Sequence, residues 1–201
     1  MNIFITGTDT DAGKTTVSAW ICSKIHTKYW KLIQTGNDSD SEVIRKFVPN
    51  IEIIPEAYKL KAPLSAYDAA SKESVTIDIE KLTTTEDRIV IEGAGGVFVP
   101  ICDNFLMIDA IKCTNSKALV VARSKLGVIN HVLLTLFALK SKNIPIVGII
   151  ISGNIEKNIK KTIEKFSGEK ILAILPEQQQ SNLRLLFEST PLPSEISEIL
   201  S

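Results

Sequence analysis

A glycine-rich segment near the amino terminus constrains the fold more than any other feature of the chain. It reads Gly7-Thr-Asp-Thr-Asp-Ala-Gly-Lys-Thr15 and directly follows an apolar run at residues 3–5. In a phosphate-binding loop, glycines let backbone N–H groups approach the phosphates, a lysine reaches the β- and γ-phosphates, and a hydroxyl ligates magnesium. Five residues separate the two glycines, one more than in the usual form. The sequence therefore predicts a strand, a phosphate-binding loop and a helix, and with them a magnesium- and ATP-dependent enzyme.

Short β-branched runs alternate with stretches of helical spacing through the rest of the chain. The runs predicted as strands are residues 2–6, 31–34, 88–92, 118–122, 147–152 and 171–175. Besides the helix that begins inside the loop, helices are predicted at residues 42–48, 132–139, 155–166 and 194–200. This alternation predicts an α/β fold in which a mostly parallel sheet carries helices on both faces. With the loop, it indicates a single domain of the P-loop NTPase type over residues 1–201.

Residues 49–72 fit this alternation poorly. Three prolines interrupt them, and their apolar residues follow neither the helical nor the strand period. We therefore predict that this segment is irregular.

Charge and cysteine content argue against several other classes of protein. Lys and Arg number 23 against 23 Asp and Glu, so no excess of positive charge favours nucleic acid. The longest apolar run, residues 144–151, is well short of the roughly 20 residues that span a bilayer, and the first residues carry no secretion signal. The three cysteines lack the spacing of a disulfide framework or zinc site, and Cys102 and Cys113 are predicted to fill the core. We expect a cytoplasmic protein without a nucleic-acid or membrane partner.

Two more of the predicted strands end in residues suited to phosphate chemistry. Glu92 closes an apolar run and is followed by Gly93, Ala94 and Gly95. At the carboxyl edge of a parallel sheet this carboxylate would lie near the loop, where it could hold magnesium. Lys31 precedes another polar turn, and it is either a solvated lysine or a cation that stabilises charge during phosphoryl transfer.

Two acidic residues follow that turn. Asp38 and Asp40 could supply oxygen ligands to a metal, or they could cap the helix predicted at residues 42–48. The residues themselves favour neither interpretation.

Four motifs in sequence order make the chain resemble the dethiobiotin synthetase family. They are GTDTDAGKT, KLIQTG at residues 31–36, EGAGG at 92–96 and KLGVINH at 125–131, and the resemblance extends over residues 2–175. It implies that ATP, magnesium and carbon dioxide act on 7,8-diaminopelargonic acid to give dethiobiotin, ADP and phosphate. An amine of the substrate would trap carbon dioxide as a carbamate, which is phosphorylated and then attacked by the second amine. No covalent enzyme intermediate is needed.

The resemblance also implies roles for individual residues. Lys14 and Lys31 would flank the transferring phosphoryl group, Thr10 and Asp11 would line the reacting centre, and Thr35 would bind the substrate. The metal would lie among Thr15, Asp40 and Glu92, with Asp40 preferred to Asp38. The residues expected to contact ATP are Asp11, Ala12, Gly13, Lys14, Thr15, Thr16, Glu92, Gly93, Ala94, Gly95, Ser152, Pro176, Glu177 and Gln178.

The turn that opens KLGVINH has a further role in this family. Its backbone and its asparagine hold the substrate carboxylate across a dimer interface, which implies a homodimer and assigns the role to Gly127, Val128, Ile129 and Asn130. From the residues alone, Asn130 could also be the N-cap of the helix at 132–139. His131 is predicted to be structural because it has no acidic partner nearby in sequence.

Departures from the family pattern and a rival class sharpen these expectations. Leu32 replaces a usual proline, and Ser152 replaces an asparagine that reads the adenine edge, which suggests a relaxed nucleotide preference. The strongest rival is a positioning or partition ATPase, which carries an extra lysine five residues before the loop lysine. Asp9 occupies that position here. An amidating cobyrinate-type synthetase would need a glutaminase domain, for which no length remains.

Overall fold

A seven-stranded sheet forms the centre of the computed structural model, which describes residues 1–201 apart from the side chain of Gln180. The strands are β1 (Asn2–Gly7), β2 (Lys28–Lys31), β3 (Ile33–Thr35), β4 (Glu52–Ile54), β5 (Tyr58–Leu60), β6 (Val90–Gly96), β7 (Pro100–Cys102), β8 (Phe105–Leu106), β9 (Ser116–Arg123), β10 (Ile146–Ser152) and β11 (Ile171–Leu175). The sheet order is β11-β10-β9-β1-β6-β2-β4, and every neighbouring pair is parallel. Strands β3 and β5 form a separate parallel pair, and β7 and β8 form an antiparallel one.

Helices cover both faces of the sheet. They are α1 (Lys14–Lys24), α2 (Asp40–Phe47), α3 (Ala66–Lys72), α4 (Met107–Cys113), α5 (Val128–Ser141), α6 (Lys157–Ser167), α7 (Leu183–Ser189) and α8 (Ser194–Leu200), with short 3-10 helices at Ile79–Leu82 and Gln180–Asn182. Buried side chains of α3, α4, α5 and α6 belong to one hydrophobic cluster, and those of α1, α2, α7 and α8 belong to the other. The predicted α/β fold, with a parallel sheet between two layers of helices, is confirmed.

The central strand β1 shows why this sheet reads as near-continuous apolar runs. All six of its residues are buried, because successive side chains point into opposite layers: Ile3 and Ile5 join the cluster beneath α1, and Phe4 joins the other. Its end at Gly7 opens directly into the loop that precedes α1. The fold thus places the glycine-rich segment at the carboxyl edge of the sheet, between β6 and β9.

Most predicted elements are confirmed, and two agree in full with β11 and α8. The strand predicted at residues 31–34 is wrong in its position. The sheet strand is β2, where the buried Tyr29 and Trp30 pair with β6, and the chain then bends at Leu32 before starting β3. The strand predicted at 88–92 begins two residues later and continues into the glycines, because Arg88 has a positive φ of 57° that does not fit a strand.

The prediction that residues 49–72 are irregular is also wrong. The segment contains β4 at the sheet edge, β5 paired with β3, and helix α3. Ser65 caps this helix by accepting a hydrogen bond from the Asp68 amide. Both strands are three residues long and are held by partners distant in sequence, so local periodicity gave no signal for them.

The structure describes no helix that is both long enough and apolar enough to cross a membrane.

The three cysteines form no disulfide among the described residues, and Cys22 is buried. Cys102 and Cys113, predicted to fill the core, are only half-buried at the edge of the α3–α6 cluster. Burial and a neighbouring aspartate raise the pKa of each of these two thiols, which keeps both in the protonated form.

Candidate active site

The glycine-rich loop wraps closely around the amino terminus of α1. A Cβ on Gly7 would lie 2.6 Å from the carbonyl oxygen of Asp9, so only glycine fits where the loop folds back on itself. Gly13 precedes the helix with a φ of 96°, the left-handed conformation that favours glycine. The free N–H groups at the start of α1 therefore point into the loop, which is the arrangement that binds phosphate oxygens.

Lys14 lies across the mouth of this loop. Its ammonium donates hydrogen bonds to the carbonyl oxygens of Asp9 at 3.1 Å and Thr10 at 2.8 Å. Burial, and then the positive charge of Lys31, lower the pKa of Lys14 to about 8. A lysine held this way gains from an anion in the loop, because the anion would offset the cost of burying its charge.

Glu92 is fully buried at the end of the apolar part of β6, and its two carboxylate oxygens have separate sets of partners. Oε1 lies 2.9 Å from the Thr15 hydroxyl and accepts a hydrogen bond from the Lys31 ammonium at 3.0 Å. Oε2 accepts hydrogen bonds from Ser18 at 2.6 Å and Tyr29 at 3.0 Å. Burial, followed by the charge of Glu92, raises the pKa of Tyr29 well above its ordinary value, so the phenol keeps its proton. Sequence reasoning missed Ser18 and Tyr29, which belong to no motif.

Lys31 is also buried, and its ammonium reaches three acceptors. These are Asp40 Oδ2 at 2.6 Å, Glu92 Oε1 at 3.0 Å and the Gly93 carbonyl at 3.1 Å. Burial alone would lower the pKa of Lys31, but the charges of Glu92 and Asp40 outweigh it and raise that pKa. Of the two interpretations open from the sequence, the structure excludes the solvated lysine.

The same contacts distinguish the two candidate aspartates. Asp40 contacts both Lys31 and Thr15, whereas the exposed Asp38 lies at the cavity wall. Neither caps the following helix, because Ser39 is the N-cap of α2 and accepts a hydrogen bond from the Glu42 amide. The geometry therefore favours Asp40 as the carboxylate nearest to the loop.

Oxygen atoms of three residues converge in a way that suits magnesium. Thr15 Oγ1 lies 3.0 Å from Asp40 Oδ1 and 2.9 Å from Glu92 Oε1, although its single proton can serve only one of them. A cation among these oxygens would remove the conflict. In the described part of the chain, no group of three or more His, Cys, Asp or Glu is placed to hold a metal by itself. Magnesium does not require one, because it usually takes one or two carboxylates with phosphates and waters.

A cavity of about 730 Å³ joins these groups. Twelve of the predicted residues line it: Thr10, Asp11, Gly13, Lys14, Thr15, Thr16, Lys31, Thr35, Asp40, Glu92, Ala94 and Gly95. Pro63, Leu64 and Ala66, which lie in the segment predicted to be irregular, also line it. The lining thus combines charged and apolar side chains.

A second cavity of about 400 Å³ shares Asp11 and Thr16 with the first. Its lining contains the predicted ATP contacts Ser152, Pro176, Glu177 and Gln178, together with Asn154. Arg123, missed from the sequence, forms an exposed ion pair with Glu177 at 3.0 Å. Ser152 lies against the loop itself, since a Cβ on Gly13 would come within 2.6 Å of its hydroxyl.

Two predicted contacts of ATP face the protein interior. Ala12 is buried in the cluster beneath α1, and a Cβ on Gly93 would lie 2.7 Å from the ring of Phe4. Their side-chain positions therefore serve packing, which leaves only backbone atoms for a ligand.

Comparison with known proteins identifies the family. A family profile described as an AAA domain matches residues 1–183. The chain is 43% identical over 175 residues to ATP-dependent dethiobiotin synthetase BioD of Paramagnetospirillum magneticum, covering 85% of each protein. It is 40% identical to the enzyme of the same name from Lawsonia intracellularis, covering 99% of this chain and 98% of that protein.

The chain belongs to the dethiobiotin synthetase family. Among solved structures, a ParA family ATPase from Chlorobium tepidum TLS matches 98% of this chain and 96% of its own with a TM-score of 0.55. The sequence identity is only 13%, so this likeness shows the P-loop ATPase fold alone.

Asp9 separates this dethiobiotin synthetase family member from a partition ATPase in a physical way. The Asp9 carboxylate pairs with Lys125 at 2.8 Å, and the hydrogen bond from Lys125 lowers the pKa of the Asp9 carboxyl. An acid that is already paired within its own chain cannot replace the lysine that such switches place at this position. The pair also ties the phosphate loop to the 125–131 motif of the family.

The turn predicted to hold the substrate carboxylate does not line either of these two cavities. Among the described residues, those lining the two cavities do not include Gly127, Val128, Ile129 or Asn130. Gly127 is the N-cap of α5 with a φ of 91°, so the interpretation of Asn130 as the N-cap is wrong: it is the third residue of the helix. Asn130 is exposed there, and the backbone of His131 bonds to the Gly127 carbonyl.

Proposed function

We propose that the chain catalyses the ATP- and magnesium-dependent carboxylation and ring closure of 7,8-diaminopelargonic acid to dethiobiotin. The observation that carries this proposal is the convergence of two buried lysines and two carboxylates on one cavity beside a phosphate-binding loop. A neutral-pH phosphoryl transfer needs such cations around the γ-phosphate, and a dense hydrogen-bond network to hold them. The family to which the chain belongs supplies the identity of the substrate.

In this proposal the reaction has three steps. An amine of the substrate attacks carbon dioxide and loses a proton, which gives a carbamate. A carbamate oxygen then attacks the γ-phosphorus, the bond to the β–γ bridging oxygen breaks, and ADP leaves. The second amine finally attacks the carbonyl carbon of the mixed anhydride, phosphate departs, and the ring closes. The protein's contribution is to orient the reactants and to stabilise charge through Lys14 and Lys31.

The metal ligands in this proposal are Thr15, Asp40 and Glu92. Magnesium bound there would neutralise charge on the β- and γ-phosphates. Lys31 already bridges Asp40 and Glu92, so it would have to share these oxygens with the ion. We infer that sharing weakens its hold on the carboxylates and directs its ammonium towards the phosphoryl group.

The smaller cavity is proposed to receive the nucleotide base. Ser152 can donate or accept a hydrogen bond, and Arg123 and Glu177 at the rim remain exposed. The amides of Asn154 and Gln178 also line this cavity. The serine at position 152, where the family commonly has an asparagine, supports a relaxed nucleotide preference. Turnover measured with ATP, GTP and CTP tests it, and an advantage of several orders of magnitude for ATP would refute it.

An exposed apolar stripe along α5 supports the proposed homodimer. Leu134 and Phe137 on α5 are 58% and 72% exposed, Asn130 lies on the same side at helical spacing, and Leu126, just before the helix, is 102% exposed. We propose that a second copy of the chain covers this stripe and that Asn130 reaches the substrate bound to that second copy.

Leu134→Asp should convert a dimer into a monomer in analytical ultracentrifugation. Leu185→Asp, an equally exposed leucine on α7 across the sheet, should remain dimeric. Dissociation of both variants, or of neither, would contradict this interface.

The cytoplasm is the proposed location. The chain has three free thiols and no disulfide among its described residues, which suits a reducing compartment.

One incubation tests the proposed activity directly. The protein is mixed with ATP, magnesium, bicarbonate and 7,8-diaminopelargonic acid, and dethiobiotin is detected by mass. We expect dethiobiotin and phosphate in equal amounts, and no phosphate without the diamine. Phosphate release that ignores the diamine would instead indicate an ATP-driven switch of the ParA or MinD kind.

A further inference from the structure

The two oxygens of the Glu92 carboxylate are held by different kinds of partner. Oε1 faces Thr15 and Lys31, which the proposed function places at the metal and the phosphoryl group. Oε2 faces Ser18 and Tyr29, neither of which lines either cavity among the described residues. The carboxylate is thus divided into a side towards the ligands and a side towards the protein.

Strand β2 supplies a donor to each of these oxygens. Lys31 pairs with Glu92 across the parallel ladder, and Tyr29 precedes Lys31 by two residues, so both side chains point to the same face of the sheet. The Lys31 ammonium reaches Oε1 and the Tyr29 hydroxyl reaches Oε2. Strand β2 therefore donates a hydrogen bond to each oxygen of the carboxylate. Rotation of the Glu92 carboxylate would break at least one of these two bonds.

Ser18 contributes from the first helix. Its hydroxyl lies 2.6 Å from Glu92 Oε2 and 2.9 Å from the Lys14 carbonyl oxygen, and its single proton serves one of them. The shorter distance and the negative charge favour the carboxylate. Ser18 lies one helical turn after Lys14 on α1. Its hydrogen bond therefore fixes the position of Glu92 relative to the helix that carries Lys14.

We propose that Tyr29 and Ser18 are positioning residues for Glu92, which reserve Oε2 for the protein and present only Oε1 to Thr15, Lys31 and the metal. This inference rests on the proposed function, because it assigns the metal to the Oε1 side. Partners of a metal-binding carboxylate that do not touch the metal hold its geometry, and their loss typically lowers metal affinity roughly 10- to 100-fold.

Tyr29→Phe tests the proposal because it keeps the ring and removes one donor. The first measurement is the affinity for ADP in the presence of Mn²⁺ and in the presence of EDTA. We expect the strengthening of ADP binding by Mn²⁺ to fall roughly tenfold or more, while affinity in EDTA stays within about twofold. The second is the Mg²⁺ concentration that gives half-maximal turnover, which should rise by a similar factor.

Tyr58→Phe is the matched control. The Tyr58 hydroxyl accepts a hydrogen bond from the Asp78 amide at 2.8 Å, and it is not among the described hydrogen-bond partners of Glu92. This variant also loses one tyrosine hydrogen bond, and its metal dependence should equal that of the original chain. ADP binding needs no diamine, so this test also works if the chain makes no dethiobiotin. A failure to make dethiobiotin would count against the proposed function and not against the role of Tyr29.

Two outcomes would overturn the proposal. One is a Tyr29→Phe variant that melts earlier but keeps the original response to Mn²⁺ and Mg²⁺, which would make Tyr29 merely structural. The other is an equal loss of ADP affinity with and without metal. If Tyr29→Phe does not fold, Ser18→Ala removes the other donor to Oε2, and an unchanged metal response in that variant would also reject the proposal.

Discussion

The two cavities beside the phosphate loop share Asp11, yet their charged groups are arranged in opposite ways. In the larger one the charged groups are buried and bonded to one another: Lys31 alone contacts Asp40, Glu92 and a backbone carbonyl. In the smaller one Arg123 and Glu177 form an exposed ion pair, and the third charged group, Asp11, is exposed and shared with the larger cavity. The residues proposed to bind phosphate thus belong to a buried hydrogen-bonded network, and the residues proposed to bind the base do not.

This difference has an energetic meaning. Removing one partner from a buried, hydrogen-bonded charge pair leaves the other charge uncompensated, at a cost of about 3–5 kcal/mol. An exposed ion pair contributes about 0–1 kcal/mol and is screened by salt. The larger cavity should therefore tolerate few substitutions and hold its groups in one geometry, as charge stabilisation requires. The smaller cavity should tolerate many.

The largest effect is expected when the network itself is broken by Lys31→Ala. Turnover should fall roughly a hundred- to a thousand-fold, because the cation beside the transferring phosphoryl group is lost. Nucleotide affinity should change little, since Lys14 and the loop amides remain. Steady-state assays with calorimetric titration of ADP separate the two effects.

Lys28→Ala is the control for that experiment. Lys28 lies in the same strand and forms ion pairs with Glu52 and Glu86 at the surface. We expect near-original turnover from it. If Lys31→Ala also retained most of its turnover, Lys31 would have no part in the chemistry, and the contrast between the two cavities would lose its functional meaning.

A smaller effect is expected from pH, through Lys14. Burial lowers the pKa of Lys14 to about 8, and a bound phosphate would hold the lysine protonated. Affinity should therefore fall as pH rises through 8, by about tenfold between pH 7 and pH 9, with proton uptake on binding near pH 8. Calorimetry with a non-hydrolysable ATP analogue in buffers of different ionisation enthalpy measures both quantities.

Lys14→Arg provides the comparison for this pH dependence. A guanidinium stays charged across the whole range, so the affinity of that variant should be flat over this interval. A flat profile in the original chain would mean that Lys14 keeps its proton in the free protein. Burial would then lower the pKa of Lys14 by less than the structure indicates.

The larger cavity was the more predictable of the two from sequence, and the reason is local. The loop residues directly follow the first predicted strand and Glu92 ends another, so their meeting at the sheet edge follows from parallel topology. Lys31 was predicted at the start of a strand, and the structure instead places it at the end of β2. Topology could not separate Asp40 from Asp38, and only the resemblance to the family favoured Asp40, because the choice depends on which carboxylate reaches Lys31 in space. The grip of Tyr29 on Glu92 was invisible for the same reason: the partners are 63 residues apart in sequence.

The fold was predictable to a similar degree. The buried strands of the sheet centre have strong apolar runs, and their existence was recovered from the sequence. Strands β4 and β5 were not, because three-residue strands at an edge are stabilised by their partners and carry little propensity of their own. Because this segment was predicted to be irregular, nothing in the sequence indicated that Pro63 and Leu64 line the larger cavity.

The smallest effect is expected in the second cavity, where Ser152→Asn tests whether its lining can be made selective. The side-chain amide of an asparagine has a separate donor and acceptor, which could pair with one acceptor and one donor of the base. The hydroxyl of a serine rotates, so it fixes neither direction. One added hydrogen bond should raise the preference for ATP over GTP in kcat/KM by roughly fivefold to tenfold. Ser197→Asn on α8, outside both cavities among the described residues, should leave the preference unchanged. If Ser152→Asn changed turnover with both nucleotides equally, the residue would act on the loop through its contact with Gly13, and the two cavities would be less independent than their contacts indicate.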